Sequence, residues 1–250
     1  MEDLTRDLSF AIQDGKIDKV ATLLNDGALM ITEQFVLATQ MKLYDVLKMF
    51  LDHGWDINAD FTPLIPSALV YTFEDTTLLT WFLDHGADPN KRCRLRDCTP
   101  LSYAVQTAPF EAIETLFRSG GSAAQGQLLH YAALRKGTDS LAVLEYIYNK
   151  NPDANALNVN KLLDQDCPGD FAINLGAGLG TPLHYAALTG SLDSVQFLME
   201  KGGDPWLLDP YLQTALDLAT YANHEQVVQF LRSLRNSRMP HREQQESNLE

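Results

Sequence analysis

Two histidines sit in the same local frame, Leu-His-Tyr-Ala-Ala, at His130 and His184. Two imidazoles could hold a metal or pass a proton. Identical placement in like surroundings favours another reading, in which each ring bonds backbone within its own unit and holds a turn. His53 and His85 also share a frame, Phe-Leu-Asp-His-Gly, at the end of an apolar-patterned segment. A partial positive charge is favourable at such a helix end. Cys93 and Cys98 are five apart, with no second Cys or His pair at zinc-site spacing, so a metal site is not expected. Gly176, Gly178 and Gly180 alternate but lack a phosphate-loop lysine and a strand–helix context. Lys91, Arg92, Arg94 and Arg96 form the one dense basic run. It reads first as a solvated turn balancing nearby acids, and second as a contact for an acidic partner segment. The sequence has no GxSxG, no HExxH and no recognisable carboxylate pair, so it names no catalytic residue and calls for no cofactor. A pocket assembled from several elements would leave no such motif.

These residues belong to a chain of 250 residues with 45% hydrophobic content, enough for a sizeable core. Lys plus Arg total 19 against 33 Asp plus Glu, a formal charge of -14. Nucleic-acid affinity rests largely on attraction to phosphate, so DNA or RNA binding is not expected. Cys93, Cys98 and Cys167 are few and odd in number, which suits reduced thiols. The charged start, MEDLTRDLSF, lacks the apolar core of a signal peptide, and no run has the ~18 apolar residues of a membrane helix. The expectation is an intracellular, cytoplasmic protein, with the nucleus as the alternative.

The elements that must position the histidines follow from a recurring pattern. Thr181-Pro182-Leu183-His184-Tyr185-Ala186-Ala187-Leu188-Thr189-Gly190 reads as a cap, a proline at the first helical position, a short helix and a glycine stop. A second helix follows, with Val195, Leu198 and Met199 at helical spacing. The first pattern returns at Thr99-Pro100-Leu101-Ser102-Tyr103-Ala104, at Gln127-Leu128-Leu129-His130-Tyr131-Ala132, and at Thr214-Ala215-Leu216-Asp217. A divergent copy begins at Thr62-Pro63-Leu64. The second returns at 46–58 and 78–90, each closing in glycine and an Asp/Asn turn. A unit of about 33 residues with two helices cannot bury both of its faces alone and needs copies on either side.

TPLHYAALTG, LLTWFLDHGADPN and VQFLMEKGGDP resemble the ankyrin repeat, over roughly residues 4 to 236. The set is most similar to ankyrin proteins of filamentous fungi, where a long finger ending in LGTPLHYAA is familiar. The resemblance implies an all-α ankyrin-repeat solenoid of about seven stacked helix-turn-helix units with one long inserted finger loop. Residues 1–236 are expected as a single domain, with units at 4–29, 30–58, 59–90, 91–124, 125–151, 180–208 and 209–236. The insertion covers 152–179, where Leu162, Leu163, Phe171 and Ile173 are apolar enough to fold it back onto the repeats. The polar stretch 237–250 is expected to be disordered. Pro66 should delay or kink the first helix of unit three. Of the adjacent Trp81 and Phe82, one should be core and the other should face a groove or solvent. Tyr103, Tyr131 and Tyr185 recur at one position, as packing residues rather than a ligand ladder.

Ankyrin proteins bind partners on the concave side, made of finger tips and the exposed ends of first helices. Carried onto this chain, that implies Leu95, Arg96, Cys98, Gln106 and Thr107 in unit four and Leu134 and Arg135 in unit five. It implies Leu188 and Thr189 in unit six and Tyr211 and Tyr221 in unit seven. Unit five lacks the Thr-Pro start, which loosens its register by about a residue. The function implied is binding of another protein on that surface. The alternative is a small-molecule-binding or catalytic ankyrin protein, its pocket roofed by residues 152–179. An effector or assembly scaffold is a third, weaker reading.

Overall fold

The structure is a computed structural model that describes residues 2–150, 159–174 and 179–237. Of the expected disordered tail, Ser237 is helical and residues 238–250 lie outside the described residues, as do 152–158 and 175–178 of the insertion with Gly176 and Gly178. Among the described residues there are fourteen α-helices, one 3-10 turn and no strand, only an isolated bridge between Thr62 and Ile65. The fold is all-α and of the ankyrin-repeat type. Two compact segments, 1–126 and 127–250, divide it.

The first segment holds four helix pairs. They are α1 (Glu2–Gln13) with α2 (Ile17–Asn25), and α3 (Thr32–Gln40) with α4 (Tyr44–Asp52). A 3-10 turn (Ala68–Tyr71) then pairs with α5 (Thr76–Asp84), and α6 (Pro100–Thr107) with α7 (Phe110–Arg118). First helices pack on first helices, α1 on α3 and α3 on the 3-10 turn, which in turn meets α6. Second helices do the same, α2 on α4 and α5 on α7. Pro66 does more than delay its helix: the first helix of that repeat is reduced to the single 3-10 turn. A proline removes one backbone donor and blocks the preceding residue from helical geometry, so only the residues beyond it coil. Phe35, Phe50 and Phe82 are fully buried and meet at ring-centroid distances of 5.8 and 5.9 Å from Phe35, with Trp55 stacked at 5.6 Å. Each such side chain contributes about 1.5–3 kcal/mol on burial. Phe82 is the core member of its pair, and Trp81 lies half-buried against Tyr44 and His85.

The second segment holds α8 (Leu128–Leu134) with α9 (Ser140–Lys150), α11 (Pro182–Thr189) with α12 (Leu192–Glu200), and α13 (Ala215–Tyr221) with α14 (Glu225–Ser237). The short α10 (Pro168–Asn174) stands in the insertion. Here α11 packs between α8 and α13, and α12 between α9 and α14. Ala186 and Ala187 are fully buried on α11, small enough for α8 and α13 to approach closely. Thr181 caps α11 by accepting the His184 N–H, with Pro182 behind it, and Gly190 ends the helix at φ 78°. A Cβ at Gly190 would lie 2.4 Å from the His224 ring nitrogen Nδ1, so the residue serves both the left-handed turn and the close approach of α14's leading loop.

One bond type recurs between the turns that close successive second helices. The Asn58 amide donates to the Gly86 carbonyl (2.9 Å) and accepts from the Asp88 N–H (2.8 Å). Asn90 does the same to Gly120 (2.9 Å) and Ser122 (2.8 Å). Asn160 does it to Gly202 (3.0 Å) and Asp204 (2.8 Å). Asn160 lies in the expected insertion, so that stretch carries the turn element of repeat five before it departs as a finger. Leu163 then folds back and is buried, Leu162 and Phe171 are half-buried, and Ile173 is exposed.

Replacing Asn90 by Ala leaves the Ser122 N–H and the Gly120 carbonyl without their partner. The expected cost is about 1–3 kcal/mol, read from urea unfolding. Asn149→Ala, on the exposed side of α9, should stay within about 0.5 kcal/mol of the parent.

Candidate interaction surfaces

In the first segment the finger 91–98 is closed by the Cys93 N–H on the Cys98 carbonyl (2.8 Å) and tied sideways by the Leu95 N–H on the Pro63 carbonyl (3.1 Å). Three of the four cations of the basic run that it carries face acids. Lys91 and Arg94 each lie 3.6 Å from Asp60, and Arg92 lies 3.4 Å from Asp97. Such solvent-facing pairs add little stability, but they answer the run's charge locally, as expected of a balanced turn. Leu95 and Arg96 are half-buried. Gln106 is half-buried and Thr107 exposed at the end of α6, where the Thr107 hydroxyl donates to the Tyr103 carbonyl (3.0 Å). Tyr103 is half-buried, donates its hydroxyl to the Leu64 carbonyl (3.0 Å), and has its pKa pushed up by burial to about 12. Cys98 must be corrected as a contact residue. It is 2% exposed, because its side chain turns inward where the finger meets the cap of α6.

In the second segment the finger of repeat six is anchored from below. Gln127 replaces the threonine cap and stands at φ 50°, outside helical geometry. Its amide donates to Asp164 Oδ1 (2.8 Å) and accepts from the Asp164 N–H (2.7 Å). The Asn174 amide donates to Asp164 Oδ2 (3.2 Å). Asp164 is 1% exposed, and two side-chain amides supply the bonds that a buried carboxylate requires. Sequence reasoning passed over Asp164, because nothing in its neighbourhood marks an acid as buried. The loosened register of repeat five has a consequence at Arg135. It falls one residue beyond α8 and is buried, with its Nε donating to Asp139 Oδ1 (2.9 Å) and its Nη2 to Asp139 Oδ2 (2.6 Å). The guanidinium holds the Asp139 carboxyl below the usual carboxylate range. Arg135 is therefore a brace between α8 and α9, not a contact residue. Leu134, Leu188 and Thr189 are half-buried, and the Thr189 hydroxyl meets the carbonyls of Ala133 and Ala186, each at 3.2 Å.

The finger of repeat seven presents the most. Asp209 is buried and its Oδ1 accepts the N–H groups of Tyr211 (2.8 Å) and Gln213 (2.9 Å). The Asp209 N–H closes the turn on the Gln213 carbonyl (2.9 Å). On this frame Tyr211 is 52% and Leu212 76% exposed, the latter at φ 60°, and Tyr221 at the end of α13 is 79% exposed. Tyr211 and Tyr221 were legible from the repeat register. Leu212 and the half-exposed Leu208 were not, although the Asp209-Pro210 pair signals the turn that displays them.

The histidines do structural work. His184 Nδ1 pairs with the Thr181 hydroxyl (2.8 Å) in its own repeat, and its Nε2 with the Gln213 carbonyl of the following finger (3.0 Å). His130 Nε2 bonds the Lys161 carbonyl (2.9 Å), while its Nδ1 is buried without a partner because Gln127 has turned to Asp164. The bonds thus reach into the next repeat as well as the histidine's own. Burial holds both imidazoles neutral, lowering His184 below its ordinary value and His130 to about 4. Tyr131 and Tyr185 are buried packing residues, the Tyr185 hydroxyl accepting the Gly180 N–H (3.1 Å). No group of three or more His, Cys, Asp or Glu among the described residues is placed to hold a metal, and no described helix is long and apolar enough to cross a membrane.

Stacked helix pairs, threonine-capped first helices and side-chain bonds into the next finger define the class as ankyrin repeats. Residues 129–239 match the family model described as ankyrin repeats (3 copies). Over 81% of its length the chain is 24% identical to a Danio rerio protein named as a palmitoyltransferase, ZDHHC13, covering 34% of that protein. It is 35% identical over 34% of its length to ankyrin repeat and SOCS box protein 14 of Mus musculus, covering 16% of it. It is 39% identical over 32% of its length to an Oryza sativa subsp. japonica protein named as an E3 ubiquitin-protein ligase, XBOS33, covering 15% of it. The chain thus spans about a third or less of the length of these relatives.

The folded pKa of His130 lies below its unfolded value, so between pH 6.5 and 4 the unfolded chain binds the extra proton. Stability is complete above pH 6.5 and falls as pH drops toward 4. Urea unfolding at pH 7 and pH 5 should differ by about 2 kcal/mol from His130, with His184 adding in the same direction. His130→Gln should flatten that limb.

Proposed function

We propose that the chain is a protein-interaction module that grips its partner with finger tips and first-helix ends. The observation that carries the reading is the repeat-seven finger, where a buried aspartate fixes the backbone and two large side chains, Tyr211 and Leu212, are held out in solvent. Exposed apolar side chains on a rigid turn lose little entropy on binding, and tyrosine is prominent among interface anchors. Tyr221 extends the same role to α13. In the first segment, Thr107, Gln106, Leu95 and Arg96 are the corresponding accessible positions, and Leu134, Leu188 and Thr189 contribute partly covered rims. The relatives' names attach the matched region to different activities, namely acyl transfer, a SOCS box and ubiquitin ligation. A shared recognition element joined to unlike activities fits this reading. A cytoplasmic location is part of the same proposal; no helix among the described residues is long and apolar enough to cross a membrane. The finger that ends Leu179-Gly180-Thr181 supports the proposal of a fungal affinity. The small-molecule reading gains no support from the finger's underside, where Gln127, Asp164 and Asn174 bond one another.

The test is affinity capture from native cells with the parent chain, Tyr211→Ala/Tyr221→Ala, and Gln196→Ala on the exposed side of α12. The tyrosine pair should weaken the captured partner by about 2 kcal/mol or more, while Gln196→Ala binds as the parent and all three keep the same thermal melt. Full binding by the tyrosine variant removes this surface from the proposal.

A further inference from the structure

Cys93 and Cys98 are buried and belong to no part of the proposed surface, and the fold joins them across the base of one finger. The Cys93 N–H donates to the Cys98 carbonyl at 2.8 Å, closing a finger of six residues. Residues that exchange both backbone bonds across an antiparallel pair stand about 5.5 Å apart at Cα, inside the range of roughly 4.4–6.8 Å that a disulfide spans, and the Cys93 N–H makes one such bond here. Both cysteines are 2% exposed, and the Cys98 thiol is close enough to push the Cys93 thiol up. Cys93 Sγ also donates to the Leu64 carbonyl at 3.0 Å, the same oxygen that accepts the Tyr103 hydroxyl. Cys167 sits in the other segment and is half-buried.

We propose that Cys93 and Cys98 form a reversible disulfide that locks the 91–98 finger. The oxidant is a peroxide. Two S–H bonds break and one S–S bond forms, and the two protons and two electrons reduce the O–O bond of hydrogen peroxide to two waters. The neighbouring Cys98 thiol, and then burial, raise the Cys93 thiol well above its ordinary pKa, because thiolate is disfavoured beside a second thiol and away from water. Attack therefore waits on opening of the finger, and the bond forms as the finger recloses. Once oxidised, Cys93 no longer donates to Leu64, and Tyr103 alone holds that carbonyl. The finger 62–65 is loosened while the finger 91–98, with Arg94, Leu95 and Arg96 between the two sulfurs, is closed covalently. This inference stands apart from partner binding and is tested without a partner.

The reduced, native 250-residue chain is treated with hydrogen peroxide, quenched with iodoacetamide, unfolded and digested for mass spectrometry. The expected product carries Cys93 and Cys98 unalkylated and joined, lighter by two hydrogens than the reduced pair, and dithiothreitol restores alkylation of both. Trypsin cuts the folded oxidised chain at Arg94 and Arg96 several-fold more slowly than the reduced chain, and Cys93→Ser abolishes that difference. Alkylation of both cysteines after peroxide, or linkage of either one to Cys167 or to a second chain, overturns the proposal. The wild-type alkylation readout decides the matter even where Cys93→Ser fails to fold.

Discussion

A helix pair of about thirty residues leaves its turn carbonyls and N–H groups with nothing to bond, and this shortfall governs the structure. Each repeat borrows its missing partners from the next one. Asn58, Asn90 and Asn160 carry both a donor and an acceptor on one planar amide, so one side chain satisfies a carbonyl and an N–H of the following turn at once. The third residue of the first helices does the matching job at the other end. His184 reaches the Gln213 carbonyl, His130 the Lys161 carbonyl, and Ser102 the Gly126 carbonyl at 2.6 Å. Buried polar groups without partners cost more than bonded ones gain, so these few side chains set the register on which the apolar faces then close.

Fingers differ because their anchors differ. The 91–98 finger is held by backbone bonds across itself and to Pro63, with acids answering its basic run. The finger of repeat six is held by the Gln127–Asp164–Asn174 set, and that of repeat seven by Asp209 from within and His184 from the preceding repeat. In repeat seven, Asp217 and Thr220 stand where His184 and Ala187 are buried in repeat six, and both are exposed. Polar side chains at those positions suit a face turned to water rather than to another helix.

The repeat class, the helix pairs and the core positions were legible because they rest on periodicity and on local cap chemistry. Thr181, Pro182 and Gly190 act within ten residues of one another, and their roles are fixed by backbone geometry that the chain carries with it. The same holds for Tyr211 and Tyr221, whose exposure follows from their place in the repeat. Arg135 and Cys98 were misjudged for one physical reason. Whether a side chain at a helix end turns out or in depends on partners, here Asp139 and the inward-facing finger base, whose positions no local pattern states.

The sequence by itself determined an all-α ankyrin-repeat chain, its capped first helices, the structural duty of its histidines and a disturbed first helix at Pro66, whose reduction to one 3-10 turn only the structure shows. These depend on local backbone preference and repetition, which act before the chain is folded. Only the tertiary structure decided that Asn160 belongs to repeat five, that Asp164 is buried beneath its finger, that Arg135 is a brace and that two cysteines face each other across a loop. Asn160 and Asp164 are set by contacts to distant turns, which exist only once the repeats have stacked, while Arg135 and the two cysteines are set by how one short loop folds across itself, which the repeat register does not state.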